Sequence, residues 1–380
     1  MLRLDDPGLS DCCADHALEF LYKAQVDPPD SRAIWAPHPD PLIRDEIADF
    51  YNVIADRLRS IMGELEAFVL GRTVLKAFRP DERDVLAAVA RLRGRDPRSF
   101  NVDDWLALID WLILRYLPQD TLQTEGEYMA VRAAIAGRIK ALEPTAEPGH
   151  GYVAMLPRTI SQATIELGLP PSEVATLRIA SARAGEAITN LGEQTRHQIK
   201  GVILRHLEAR AVGATGATAR RLDSQLFQEF GILNRDWRRV AVTEVGNMVN
   251  EGVIGALPVG ATVKRLEHYE GACPFCREID GLVMVVVSPS KPNKDGWKEV
   301  WEGKTNYGRS ASPYKREAGH LVKRPPEEMY WPAAGLQHPS CRGHWFVINS
   351  GAERDSRTRD FVAELLRKRG LVVKPAAAAA

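Results

Sequence analysis

Five cysteines in 380 residues, an odd number unevenly placed, are too few and too irregular for a disulfide framework; reduced thiols or metal ligation are the uses left to them. Charge of one sign is also lacking. The 50 Lys and Arg are matched by 50 Asp and Glu, so no global field draws the chain onto nucleic acid or an anionic membrane, and any such contact has to be a local patch. Long hydrophobic runs are missing too: "WLALIDWLILRYL" carries Asp110 and Arg115, and "GLVMVVV" is too short, so neither is expected to span a bilayer. The opening stretch, "MLRLDDPGLSDCCADHALEF", scatters acids where a secretory leader needs a basic end and an apolar run, and reads as a mature, intracellular start. What is present, 45% hydrophobic and 26% charged residues, suits a soluble protein of two or three domains with a sizeable core.

From Pro41 to about Pro144 apolar residues recur every three or four positions, as in "LIRDEIADFYNVIADRLRSIMGELEAFVL" and "DERDVLAAVARL", which predicts successive helices. In "NVDDWLALIDWLILRYLP", Asn101 or Asp103 can cap the start and Pro118 ends a helix expected to be buried on most sides. The Pro- and Gly-rich "EPTAEPGHGYVAMLP" marks a boundary near residue 150. Helices resume at about Ser161, with Ser172 and the following Glu as a cap region, break at "VGATGATARRL", and resume again. Residues 193 to 240 hold nine Lys or Arg against five acids; this predicts either a solvated helix face or a local contact with nucleic acid or an acidic partner. In "DWRRVAVTEVGNMVNEGVIGAL", Trp237, Val240, Ala241, Met248 and Gly252 share one face, and Glu244 falls among them. An ion pair with an Arg at a helix interface is favoured over catalysis there, because no second acid or histidine accompanies Glu244 at helical spacing.

After Pro258 the period changes to that of strands in "ATVKRLEHYE" and "LVMVVVS", with Asp280-Gly281 expected to form a hairpin turn between "CREI" and "LVMVV". Residues 288 to 336 read as an elaborated functional loop, and the tail as one short amphipathic helix before a low-complexity Ala run. The expected organisation is a helical domain over 1–150, a second helical part over 151–257, an α+β module over 258–350 and a helix with an Ala-rich tail over 351–380.

The chemistry concentrates in that module. "GACPFCREIDG" offers Cys273 and Cys276 from one knuckle, and "HPSCRGHW" offers His338 and Cys341 from a turn constrained by Pro339. Three thiolates and one imidazole make a closed tetrahedral zinc site, which is structural because no coordination position is left for an activated water. The plainer alternative is small buried cysteines beside a loop histidine. His268 and His344 lie close enough in sequence to replace a ligand, while the adjacent Cys12 and Cys13 have no evident partners. A zinc deaminase is excluded by spacing, since only two residues separate Glu270 from Cys273 and Pro274 follows that cysteine rather than preceding it. A metal-dependent nuclease of the HNH type is the better enzymatic rival. It would require His344 and Asn349 to act around a second metal, without a supporting carboxylate cluster. The fold class expected is therefore mostly α with a small α+β zinc-stapled C-terminal module.

Three ordered motifs, "RVAVTEVGNMVNEG", "CPFCREIDG" and "HPSCRGHW", resemble those of the phage Mu F-like minor head proteins over about residues 160 to 348. Glu244, Asn250 and Gly252 match the helix motif; Cys273, Cys276, Asp280 and Gly281 match the first cysteine motif; His338, Pro339, Cys341 and Arg342 match the second. The family usually carries a further Cys where this chain has Gly343, which leaves open whether His344 takes its place or four ligands suffice. The resemblance implies a non-enzymatic minor capsid and head morphogenesis protein of a tailed phage or prophage. It would associate with the portal and other head proteins during procapsid assembly, touch packaged DNA but no membrane, and reside in the host cytoplasm and then in the virion.

Overall fold

In the computed structural model, residues 36–72, 92, 94–269, 271–349 and 356–373 are described. The helical pattern of "DERDVLAAVARL", the Cys12–Cys13 pair, Glu270 and the Ala run fall outside them, Leu92 apart. The described chain is mostly helical, with a few small sheets. Its elements are α1 (Pro41–Val69), α2 (Val102–Tyr116), α3 (Gln119–Leu142), β1 (Ala146–Pro148), α4 (Ile160–Leu167), α5 (Pro171–Ala211), α6 (Ala219–Gly255), β2 (Thr262–Leu266), α7 (Pro274–Ile279), β3 (Val283–Val286), β4 (Glu299–Val300), β5 (Tyr314–Glu317), β6 (His320–Lys323), β7 (His344–Asn349), α8 (Ser356–Arg367) and β8 (Leu371–Val373).

The helix ends follow local chemistry. Asn101 caps α2 by accepting from the Asp104 amide at 2.9 Å while Asp104 accepts from the Asn101 amide at 3.0 Å, a reciprocal capping box, and the helix stops just before Pro118. Thr159 caps α4 by accepting from the Gln162 amide, and Gly168 ends it in the left-handed region at φ 62°. Helix α5 begins at Pro171, so Ser172 lies inside its first turn rather than capping it; proline has its φ preset for that first position.

The chain forms two compact units, residues 1–47, 130–177 and 242–380 in one, 48–129 and 178–241 in the other, and α1, α3, α5 and α6 contribute residues to both. The second unit is entirely helical among its described residues, burying Phe50, Ile54, Leu108, Ile188, Leu233 and Trp237. Asp110 accepts from Arg196 at 2.7 Å and from Lys200 at 2.5 Å, Tyr51 donates to Asn234 at 2.8 Å, and the Arg238 guanidinium lies 5.3 Å from the Tyr51 ring centre.

The first unit holds all the strands found among the described residues. β1 pairs with β8, and a four-stranded sheet runs in the order β4-β3-β2-β7, antiparallel except for β3 with β4. Its apolar face, Val263, Met284, Val286, Trp345 and Val347, packs with Val253, Ile254 and Leu257 from the end of α6 and just beyond it. Helices α3 and α6 approach closely where glycines face backbone: a Cβ on Gly252 would stand 2.3 Å from the Ala134 carbonyl oxygen, and one on Gly137 would stand 2.1 Å from that of Val249. Gly252 of the helix motif is thus required by packing.

Two expectations about local structure change. "CREI" is not the first strand of a hairpin. Pro274 at the first helical position and Cys273 as cap, its sulfur accepting from the Cys276 amide at 3.5 Å, start α7 there, and the antiparallel partner of β3 is β2. The 288–336 stretch is more ordered than a loop, containing β4 and the β5–β6 hairpin. It is organised around Lys304, which is almost wholly buried. Its ammonium donates to the carbonyls of Gly296 (2.6 Å) and Glu299 (2.9 Å) and faces the rings of Trp301 and Trp331 at 4.8 and 4.9 Å, and burial lowers its pKa to about 7. No described helix is long and apolar enough to cross a membrane.

Candidate metal centre

Helix α6 builds the site from behind. Thr243, Asn247 and Asn250 recur at three- to four-residue spacing, so they share one face, and each holds the segment that returns towards β7. Thr243 Oγ1 accepts from the Ser340 amide at 2.9 Å, fixing a residue with φ of 65°; Asn247 Oδ1 accepts from the Leu336 amide at 3.0 Å. Asn250, wholly buried, accepts from the Trp345 amide at 3.1 Å and donates to the carbonyls of Gly343 and Gly246, both at 2.9 Å. These bonds clamp residues 336–345 to the helix, and His338 and Cys341 lie within that stretch. Glu244, the carboxylate on the apolar stripe, is half-buried.

The other half comes from α7. Cys273 caps it and Cys276 lies in its first turn; Asp280, just past its end, accepts from the Glu267 amide at 2.7 Å, and the Gly281 amide donates to the Arg265 carbonyl at 2.8 Å. The Asp-Gly motif therefore ties α7 to the end of β2.

The four residues expected as ligands are brought together. His338 Nε2 lies 3.2 Å from both Cys273 Sγ and Cys276 Sγ, and Cys276 Sγ lies 3.9 Å from Cys341 Sγ. Neighbouring donors around tetrahedral zinc stand about 3.5–3.8 Å apart, given bonds of about 2.3 Å to sulfur and 2.0–2.1 Å to nitrogen, so these separations suit a metal. The tautomer suits one as well: His338 Nδ1 sits 2.9 Å from the Pro339 carbonyl, which can only accept, so the proton is on Nδ1 and the Nε2 lone pair faces the sulfurs. Cys276 and Cys341 are fully buried, Cys273 nearly so and His338 half-buried. Cys273, Cys276 and His338 have donor atoms all within 4.8 Å of one another and Cys341 joins them through Cys276, so the cluster could hold a metal ion.

The thiols are tuned unequally. A hydrogen bond from Cys276 lowers Cys273 to about 4, and the same bond, with that to Cys341 and burial, pushes Cys276 far up. Burial raises Cys341, but the hydrogen bond from Cys276 and the Arg265 guanidinium hold it well below the usual thiol range.

Two residues of the site were missed in the sequence, Arg265 and Glu267. Both side chains are completely buried and ion-paired at 2.7 Å; Arg265 also donates to the Gly335 carbonyl (3.1 Å), lies 3.8 Å from Cys341 Sγ and stacks over Trp345 at 5.0 Å. The Glu267 carboxylate lies 3.5 and 3.7 Å from Cys341 Sγ and forms a second donor triad with Cys276 and Cys341. Burial, then the Cys341 charge, raises its pKa to about 8 against the lowering effect of Arg265. Charged residues in "ATVKRLEHYE" look like a solvated face, but strand alternation puts Val263, Arg265 and Glu267 on the same side, which was the available signal.

Neither histidine proposed as a replacement ligand joins the thiols. His268 is exposed, and His344 lies against His38, ring centres 5.7 Å apart, with a buried Nδ1 that has no hydrogen-bond partner. Asn349 ends β7 opposite Thr262. Comparison with family models, with curated proteins and with solved structures found no match to this chain.

Proposed function

We propose that this chain is a minor head protein of a tailed phage or prophage, similar to the Mu F-like proteins, working by docking rather than by turnover. Its supporting observation is that the three motifs carrying the resemblance, far apart in sequence, form one object. Asn250 of the helix motif holds the strand entry at Gly343 and Trp345, Asp280 of the first cysteine motif anchors Glu267, and His338 and Cys341 of the second motif meet Cys273 and Cys276. Residues that co-occur because they build a single buried clamp have a structural purpose.

Zinc is the metal that fits three sulfurs and an imidazole, and Cys273, Cys276, His338 and Cys341 would hold it. When bound it supplies cross-links between α7 and the segment before β7. The chain's own residues do the rest: the Asn and Thr side chains of α6 fix the segment, and Arg265 lies against Cys341 as a charge partner. The clamp keeps the C-terminal module in shape while helical surfaces meet the portal and other head proteins in the host cytoplasm and then in the virion. For packaged DNA, Arg205, Arg210, Arg220, Arg221, Arg235 and Arg239 of α5 and α6 are exposed, whereas Arg196 and Lys200 are engaged by Asp110.

The test is association. The protein should co-purify with portal from procapsids, and deletion of its gene should leave heads defective in DNA content or infectivity. Absence from both procapsids and mature particles, with no capture by portal in solution, would show the assignment to be wrong. Nuclease assays with magnesium or manganese should be blank, and DNA cleavage abolished by His344→Ala would replace docking with the nuclease reading.

A further inference from the structure

Gly343 occupies an unusual position beside the thiols. A Cβ added there would stand 2.0, 2.1 and 2.3 Å from Oε1, Cδ and Oε2 of Glu267, and these are the three atoms nearest to it. The carboxylate therefore fills the space that a side chain from residue 343 would enter. Backbone strain is not the obstacle, because Gly343 is not among the residues with positive φ. The same carboxylate is turned towards sulfur: both oxygens lie within 3.7 Å of Cys341 Sγ, and Glu267, Cys276 and Cys341 have donor atoms all within 4.8 Å of one another. Cys276 belongs to this triad and also to that of Cys273 and His338, so an ion held beside Cys276 has the carboxylate on its Cys341 side. The position is also built rather than incidental, since Asp280, which follows the helix carrying Cys276, fixes the Glu267 amide at 2.7 Å. A carboxylate present only to neutralise Arg265 would not need both oxygens against a thiol.

We propose that Glu267 is itself a metal-ligating residue, a carboxylate from the end of β2 that takes the place a ligand side chain at position 343 would have. This rests on the metal reading of the four Cys and His residues and extends it. The donor set grows to five, hard oxygen beside soft sulfur and nitrogen, in place of a closed tetrahedron of four, and that mixture favours zinc over copper(I).

The test uses cobalt(II), whose absorption reports thiolate bonding directly, with affinity for cobalt and zinc read by competition against a chromophoric chelator. Four full-length proteins are compared: the natural chain, Glu267→Gln, Glu267→Ala, and Glu267→Ala combined with Gly343→Cys. The Gln variant keeps the size and the hydrogen bond to Arg265 while losing the charged donor, so it remains informative if the Ala variant fails to fold. The expected result is an affinity loss of about 10- to 100-fold for Glu267→Gln with an altered cobalt spectrum. The double variant should recover affinity and gain the charge-transfer intensity of an additional thiolate. Unchanged affinity and spectrum in Glu267→Gln would overturn the assignment while leaving the four-residue site standing. Affinity loss in Glu267→Gln without added thiolate absorption in the double variant would make Glu267 a positioning residue and also overturn it. A natural chain that takes up no cobalt or zinc would overturn both this assignment and the metal reading beneath it.

Discussion

The two compact units are held together by different means. The all-helical unit of residues 48–129 and 178–241 buries apolar helix faces, and ion pairs such as Asp110 with Arg196 and Lys200 are partly solvated, although the Asp104 carboxylate paired with Arg95 is buried. In the other unit, short strands and irregular segments are organised around buried polar groups: Arg265, Glu267, Asn250, Lys304 and three cysteines. Long helices satisfy their own backbone and need only cover a stripe, whereas strands of two to six residues leave much backbone to be satisfied by side chains. The first arrangement tolerates loss of a solvated contact such as those of Asp110. The second fails when one member of a buried set is removed, because the partners left behind cannot reach water.

The largest expected difference between the units comes from Cys276→Ser, which removes the residue common to both donor triads. Limited proteolysis should open residues 258–349 to cleavage while fragments covering 48–129 and 178–241 stay protected; uniform protection would remove the contrast. Next is Asn250→Ala, expected to cost about 2–4 kcal/mol in chemical denaturation, since it strands the buried Trp345 amide and Gly343 carbonyl. The matching change in the helical unit, Asn234→Ala, removes one half-buried bond from Tyr51 and should cost about 1 kcal/mol. Equal costs would show that the units do not differ in this respect.

How much of this was legible follows the same division. Helix positions, the Asn101 cap and the Pro118 stop could be read because period and capping are local. The meeting of the Cys and His residues could be read because each pair is packed into four residues whose spacing is itself the signal. Arg265, Glu267 and Lys304 were not, since a buried charge looks like a surface charge until its partner is known, and the partners lie up to 76 residues away. β8 was also missed: three residues, Leu371–Val373, become a strand only because Ala146–Pro148 lies alongside. The assembly of each unit from separated stretches is likewise a tertiary outcome that no window of sequence carries.

Acid should discriminate between the units as well. His38, wholly buried in the first, has its pKa lowered to about 3, chiefly by burial and then by the charge of His344. Since the unfolded histidine binds its proton near 6.5 and the folded one does not, the stability this neutral ring confers is complete above pH 6.5. It is then lost as pH falls, by at most about 1.4 kcal/mol per pH unit. The slope of unfolding free energy between pH 6.5 and pH 4 should flatten in His38→Gln; an unchanged slope would assign acid sensitivity elsewhere. The smallest effect expected is that of Asp110→Asn in the helical unit, within about 1 kcal/mol and diminishing at high salt, because its ion pairs are partly exposed.

Metal content measured on freshly purified protein, followed by thermal unfolding with and without a chelator, tests the central claim most directly. The account predicts about one zinc per chain and a lower-temperature transition on chelation that is confined to the unit containing residues 242–380. Protein free of zinc as purified, or an identical unfolding curve after chelation, would contradict it.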